Sequence, residues 1–147
     1  MGCVIAIDHG TKKTGFALSD SLRILTEPLD VCHAPGKSPA LLAHIVALCR
    51  ERDVERLLIG LPRNMDGTEG PRSADVRAFG ALLTVAIAKA GLPVPALTYW
   101  DERLSTKEAD SLLVDAGHTG AARKSRRDSW SALIVLRDWL AAGEPPS

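Results

Sequence analysis

The chain has 147 residues, 46% of them hydrophobic and 24% charged, with Lys plus Arg equal to Asp plus Glu at 18 each. That is enough chain for one domain with a sizeable core, and the composition argues against disorder throughout. Zero net charge means no global basic excess, so a polyanionic partner would have to be met by a local patch. The three cysteines, Cys3, Cys32 and Cys49, have no C-x-x-C spacing, which speaks against a disulfide framework and against a zinc site. No apolar run approaches the roughly 18 residues of a membrane span, and the chain enters a strand pattern without a cleavable signal. A reducing cytoplasm is the expected setting.

Gly2 to Ile7 is a near-continuous apolar run of strand length, suited to a strand covered on both faces. It ends in Asp8-His9-Gly10-Thr11-Lys12-Lys13, and Thr14 to Ser19 follows as a hairpin partner, which holds Asp8 at a strand end. Gly10 lets a phosphate approach the backbone, while Thr11 and Lys12 add a hydroxyl and a cation. An ordinary turn would use Asp and Gly as well. His9 reads as a turn residue, since hard divalent ions prefer oxygen.

Ile24 to Cys32 reads as a third strand, placed at the sheet edge by Pro28. Ser38-Pro39 starts a helix that ends near Arg52, and Arg56 to Leu61 is a fourth, buried strand. The loop Pro62 to Thr68 follows it directly, where open α/β sheets place ligands, and it contains Arg63 and Asn64. Pro71 opens a long helix with Val76, Phe79, Leu82, Leu83, Ala86, Ile87 and Ala90 on one face, closed by Gly91 and Pro93. Val94 to Trp100 is a fifth strand delivering Asp101-Glu102-Arg103, and Ser105 with Glu108 has capping-box spacing for another helix. Gly117 to Ser125 reads as a mobile loop. Arg126 to Ala141 reads as the last helix, with Asp128 in its first turn and Trp130, Leu133, Ile134 and Trp139 buried, and residues 143–147 as a disordered tail. The pattern is an α/β sheet, antiparallel through its first three strands and then parallel through right-handed crossovers.

Strands one and five are both parallel members, so Asp8 and Glu102 fall at the same sheet edge. Gly60, ending the strand between them, leaves room for Glu102. Neighbours on a strand face opposite ways, so Glu102 is taken as the site acid and Asp101 as the spare. With Asp128 these carboxylates would repel unless cations sat between them, and an oxygen-only set suits Mg²⁺ or Mn²⁺. Asp128 alone would also serve as a helix-start acid complementing the macrodipole. Arg123, Lys124, Arg126 and Arg127 form the densest basic cluster beside it; Lys12, Lys13, Arg63, Asn64 and Arg103 widen a surface suited to phosphate-backbone contact.

The segments D-H-G-T-K-K-T-G-F-A-L at 8–18, G-L-P-R-N-M-D-G-T at 60–68, D-E-R-L-S-T-K-E-A at 101–109 and D-S-W-S-A-L at 128–133 together resemble the YqgF family, also called RuvX. The resemblance covers essentially the whole chain. It implies a fold like RuvC-type Holliday-junction resolvases, that is, the ribonuclease H fold as a single nuclease domain over 1–142. It also implies a metal-dependent nuclease acting in maturation of the 16S rRNA precursor, with catalytic acids on Asp8, Glu102 and Asp128. Where RuvC carries an acid after its fourth strand this chain has Gly60-Leu61, and the D-E-R acid takes that place. Arg127 and Trp130 replace an expected aliphatic and a small residue.

Other classes share parts of this pattern. Junction cleavage in DNA would favour a symmetric homodimer. Actin-like and sugar-kinase phosphotransferases also open with D-x-G-T and a hairpin, but close two domains around ATP. A non-catalytic RNA-binding assembly factor would keep the fold and a weak metal site.

Overall fold

The computed structural model describes residues 2–102 and 120–146, with the backbone alone for 120–128. The capping box at Ser105 and Glu108 and the basic Arg103 therefore lie outside the described residues. Five strands form one sheet, β1 (Cys3–Asp8), β2 (Thr14–Ser19), β3 (Thr26–Cys32), β4 (Val54–Leu61) and β5 (Ala96–Asp101), in the order β3-β2-β1-β4-β5. β1, β2 and β3 pair antiparallel, and β4 joins β1 and β5 in parallel. The expected topology holds, with β3 and its Pro28 at the edge.

Side-chain alternation divides the core between the two faces of the sheet. Ile5, Ile7, Phe16, Leu57, Ile59 and Leu61 face α1 (Pro39–Glu51) and α2 (Pro71–Lys89), where Leu41, Ile45, Val76, Phe79, Leu83 and Ile87 are buried. Val4, Ala6, Ala17 and Leu58 face α3 (Gly120–Ala141), which contributes Trp130, Leu133, Ile134, Leu136 and Trp139. Trp139 is fully buried; truncating such an aromatic costs about 3–5 kcal/mol. Its indole Nε1 also donates to the Pro145 carbonyl at 2.8 Å.

Each helix start has a local cause. Ser38 Oγ accepts from Leu41 N–H at 3.3 Å ahead of Pro39, and Gly70 precedes Pro71. Leu82, expected on the buried face of α2, is 42% exposed. The third strand begins at Thr26 rather than Ile24, because Asp20 Oδ1 accepts from the amides of Ile24 and Leu25, at 2.7 and 2.9 Å, and holds them in a turn.

The largest departure is α3, which is already helical at Gly120 rather than beginning at Arg126. Ala121, Ala122, Arg123 and Lys124 are strong helix formers, with no breaker before Asp128. Residues 120–125 are thus helical, not a loop, and Asp128 stands beyond the first turn, which removes its macrodipole role. Nor is the described tail free: Glu144 Oε1 accepts from Arg23 Nε at 3.1 Å.

Candidate active site

The face alternation carries on past the core. After Val4 and Ala6 comes Asp8, after Leu58 comes Gly60, and after Trp100 comes Glu102, so all three follow the α3 face to the carboxyl edge of the sheet. Glu102 N–H donates to Leu61 O at 3.2 Å, extending the ladder one residue beyond β5. A methyl group on Gly60 would overlap Glu102 Oε2 and lie 3.2 Å from its Cδ. The missing side chain is therefore the space that the Glu102 carboxyl occupies, and it lets this group reach Asp8 across β4.

Asp8 is half-buried rather than fully presented, and its carboxyl is hydrogen-bonded with that of Glu102. Burial raises the Glu102 carboxyl well above the usual carboxylate range, the Asp8 charge and hydrogen bond raise it further, and Arg72 pulls it back. In the cation-free protein the two carboxyls therefore favour sharing one proton at neutral pH. Two oxygen donors forced together over a cradle that no Cβ fills are chemically suited to a hard divalent cation. Among the described residues no group of three His, Cys, Asp or Glu side chains surrounds such a point. Asp128, the third expected acid, lies on α3, but its side chain is outside the described residues, as are those of Arg123, Lys124, Arg126 and Arg127.

Beside Asp8 opens a cleft of about 300 Å³ lined by Asp8, Gly10, Thr11, Lys12 and Lys13. Gly10 has a local reason as well, because a Cβ there would overlap the Lys13 carbonyl oxygen. Lys12 and Thr11 are exposed at the cleft mouth. Arg63 and Asn64 sit on the loop after β4. Asn64 Nδ2 donates to Thr68 Oγ1 at 3.0 Å and its backbone N–H to Thr68 O at 2.8 Å, so its amide closes the loop. Arg63 is exposed, with one Nη1 bond to Gly67 O at 3.1 Å.

Two residues matter more here than sequence reasoning foresaw. His9, read as a turn residue, is buried, stacks on Phe79 with ring centroids 4.2 Å apart, and meets Gly36 O through Nε2 at 2.5 Å. Arg72 reaches the His9 carbonyl from α2 at 2.8 Å. No spacing in the chain announces either contact, since both join segments far apart in sequence. Burial lowers the His9 pKa, and the neutral form with its proton on Nε2 fits both partners, because Gly36 O only accepts and Arg72 only donates.

Among the described residues no helix is long and apolar enough to cross a membrane. The chain matches the family model RuvX, Holliday junction resolvase, over residues 2–142. It is 38% identical over 143 residues to a Pelotomaculum thermopropionicum protein provisionally named pre-16S rRNA nuclease, covering 97% of this chain and 89% of that one. A Cereibacter sphaeroides protein with the same provisional name is 38% identical over 145 residues, covering 95% and 86%. Among solved structures, T. thermophilus RuvC in complex with a Holliday junction substrate superposes with a TM-score of 0.57 at 16% identity, covering 98% of each chain. Fowlpox virus resolvase, solved with substrate Holliday junction DNA, gives 0.61 at 8% identity, covering 97% and 99%. At such identities the likeness is one of fold, the ribonuclease H-like sheet and helices. With the family model matched over nearly the whole length and relatives at this identity, the chain belongs to the RuvX family.

Proposed function

We propose that this chain is a divalent-metal-dependent nuclease that hydrolyses nucleic-acid phosphodiesters, with the precursor of 16S rRNA as its substrate. The observation that carries the reading is the Asp8–Glu102 carboxyl pair held over Gly60 beside a lysine-lined cleft. Asp8 and Glu102 would hold Mg²⁺ or Mn²⁺, with Asp128 of α3 as the third acid. When bound, such a cation supplies Lewis acidity and activates water.

The protein's own groups prepare and steer the reaction. Both carboxyls would have to be ionised to hold a cation, so the proton that burial and Asp8 keep on the pair would have to be given up to solvent. Lys12 and Lys13 border the cleft and would draw the phosphate toward Asp8 and offset its charge. Arg63, Arg103, Arg123, Lys124, Arg126 and Arg127 would extend the contact along the backbone, which positions nucleic acid without reading its sequence. The choice of rRNA rests on the names of the relatives. A second reading, resolution of branched DNA by a symmetric homodimer, is favoured by the fold neighbours solved with Holliday junctions.

The test is cleavage of labelled 16S rRNA precursor and of a four-way DNA junction, side by side, with Mn²⁺, Mg²⁺ or EDTA. Asp8→Asn should nearly abolish metal-dependent cutting while leaving the fold intact. Undiminished cutting by that variant, with contaminating nuclease excluded, removes Asp8 from the site. Binding of both substrates without cutting favours a non-catalytic assembly factor.

A further inference from the structure

The end of β1 is gripped from the α2 side as well as from its own sheet. Arg72 is the second residue of α2, and its Nη2 donates to the carbonyl of His9, the first residue after Asp8, at 2.8 Å. Asp75, one turn further on, faces Arg72 Nη1 at 3.5 Å and is met at 3.5 Å by Lys37, which aims the guanidinium fork. The His9 ring is sandwiched into the same joint, stacked on Phe79 of α2 and bonded to Gly36 O. Gly36 N–H then returns to Thr11 O at 3.0 Å. Residues 9 to 11 are thus fixed from α2 and from the β3–α1 connection.

We propose that Arg72 is a positioning residue for the nuclease reaction read above, on which this inference rests: by holding the His9 carbonyl it fixes the direction in which the Asp8 carboxylate faces Glu102. A planar fork held at both ends defines one orientation, which a flexible ammonium does not. A misplacement of about 1 Å at a reacting centre costs on the order of a hundredfold in rate, so a bond one peptide from the ligand carboxylate is well placed to matter.

The experiment compares wild type with Arg72→Ala and Arg72→Lys at saturating Mn²⁺. Arg72→Ala should lower kcat tenfold or more with KM within twofold, and an unchanged dependence of binding on salt. Because the Arg72 side chain is 40% exposed, added guanidinium at sub-denaturing concentration should restore part of kcat in Arg72→Ala and none in wild type. Arg72→Lys should recover less than full activity. A raised KM with unchanged kcat and a shallower salt slope would mean that Arg72 contacts substrate phosphate, which overturns the positioning role. An unchanged kcat overturns it too.

Exchange of the Gly36 amide hydrogen gives a readout independent of cleavage. It should speed up in Arg72→Ala and slow again with guanidinium, while exchange in β4 and in α3 from Ser129 onward stays at wild-type rates. If wild type cuts nothing, the nuclease reading fails. The Gly36 exchange then judges the clamp alone, and an unchanged rate overturns it.

Discussion

Gly60 and Glu102 share one space: the carboxyl of Glu102 fills the volume that a side chain at position 60 would take. This makes a mutation without charge or polarity a test of the site. Gly60→Ala would push Glu102 away from Asp8 or deform β4, and overpacking of this kind costs about 1–3 kcal/mol. Mn²⁺ affinity by calorimetry and cleavage rate should each fall at least tenfold, with a lower melting temperature. Full activity in Gly60→Ala would show that Glu102 need not occupy its present position.

Glu102 also makes the cation-free protein sensitive to alkali. Burial and Asp8 raise its folded pKa, so above the ordinary glutamate value of about 4.3 the native state keeps a proton that the unfolded chain has released. Its contribution to stability is therefore full below that value and is lost as pH rises toward the folded pKa. Glu102→Gln removes the slope. In EDTA at pH 8 this variant should be more stable than wild type, and with Mn²⁺ it should not cut. Mn²⁺ should raise the melting temperature of wild type and leave that of Glu102→Gln nearly unmoved. Parallel pH–stability curves for the two proteins in EDTA would contradict the shared-proton arrangement.

The strand order was legible because apolar runs, turn residues and Pro28 each report local chemistry. The pairing of Asp8 with Glu102 was legible because Gly60, one residue before the end of β4, leaves the space between them empty. What escaped was tertiary. His9 looks like a turn residue until Phe79 and Gly36 are brought to it from 70 and 27 positions away. Arg72 is one arginine among several until its bond to the His9 carbonyl appears. Within Gly117 to Ser125, residues 120–125 are helical although Gly120 looks like a loop residue, because Ala121 and Ala122 propagate the turn; residues 117–119 lie outside the described residues. The Asn64 amide closes its own loop by donating to Thr68 Oγ1, a contact between near neighbours that the turn-rich composition does not single out.

His9 predicts the opposite pH response, an acid weakness. Its pKa is lowered by burial, so below the unfolded value of about 6.5 the unfolded chain takes up a proton that the native ring resists. The contribution is full above that pH and lost as pH falls. His9→Phe keeps a ring against Phe79 and removes the bond to Gly36 O. It should cost about 1 kcal/mol at pH 7.5 and flatten the decline between about pH 6.5 and pH 5. Urea denaturation at several pH values reads both quantities, and an undiminished acid slope in His9→Phe would place the titrating group elsewhere.

The tie between Trp100 and Asp138 predicts a link from packing to catalysis. Trp100 Nε1 donates to Asp138 Oδ2 at 2.7 Å, joining the end of β5, two residues before Glu102, to α3. Trp100→Phe leaves a partly buried carboxylate without this donor, at a cost of about 1–3 kcal/mol. A purely global effect would lower the melting temperature and leave kcat intact at temperatures where the fold is fully formed. Because Glu102 leaves β5 immediately after this tie, and α3 carries Asp128, kcat at 25 °C should fall several-fold in Trp100→Phe with KM little changed. Asp138→Asn retains an acceptor oxygen and should lose less on both measures. Equal losses in the two variants would mean that the charge of Asp138, rather than the position of β5 against α3, is what the site depends on.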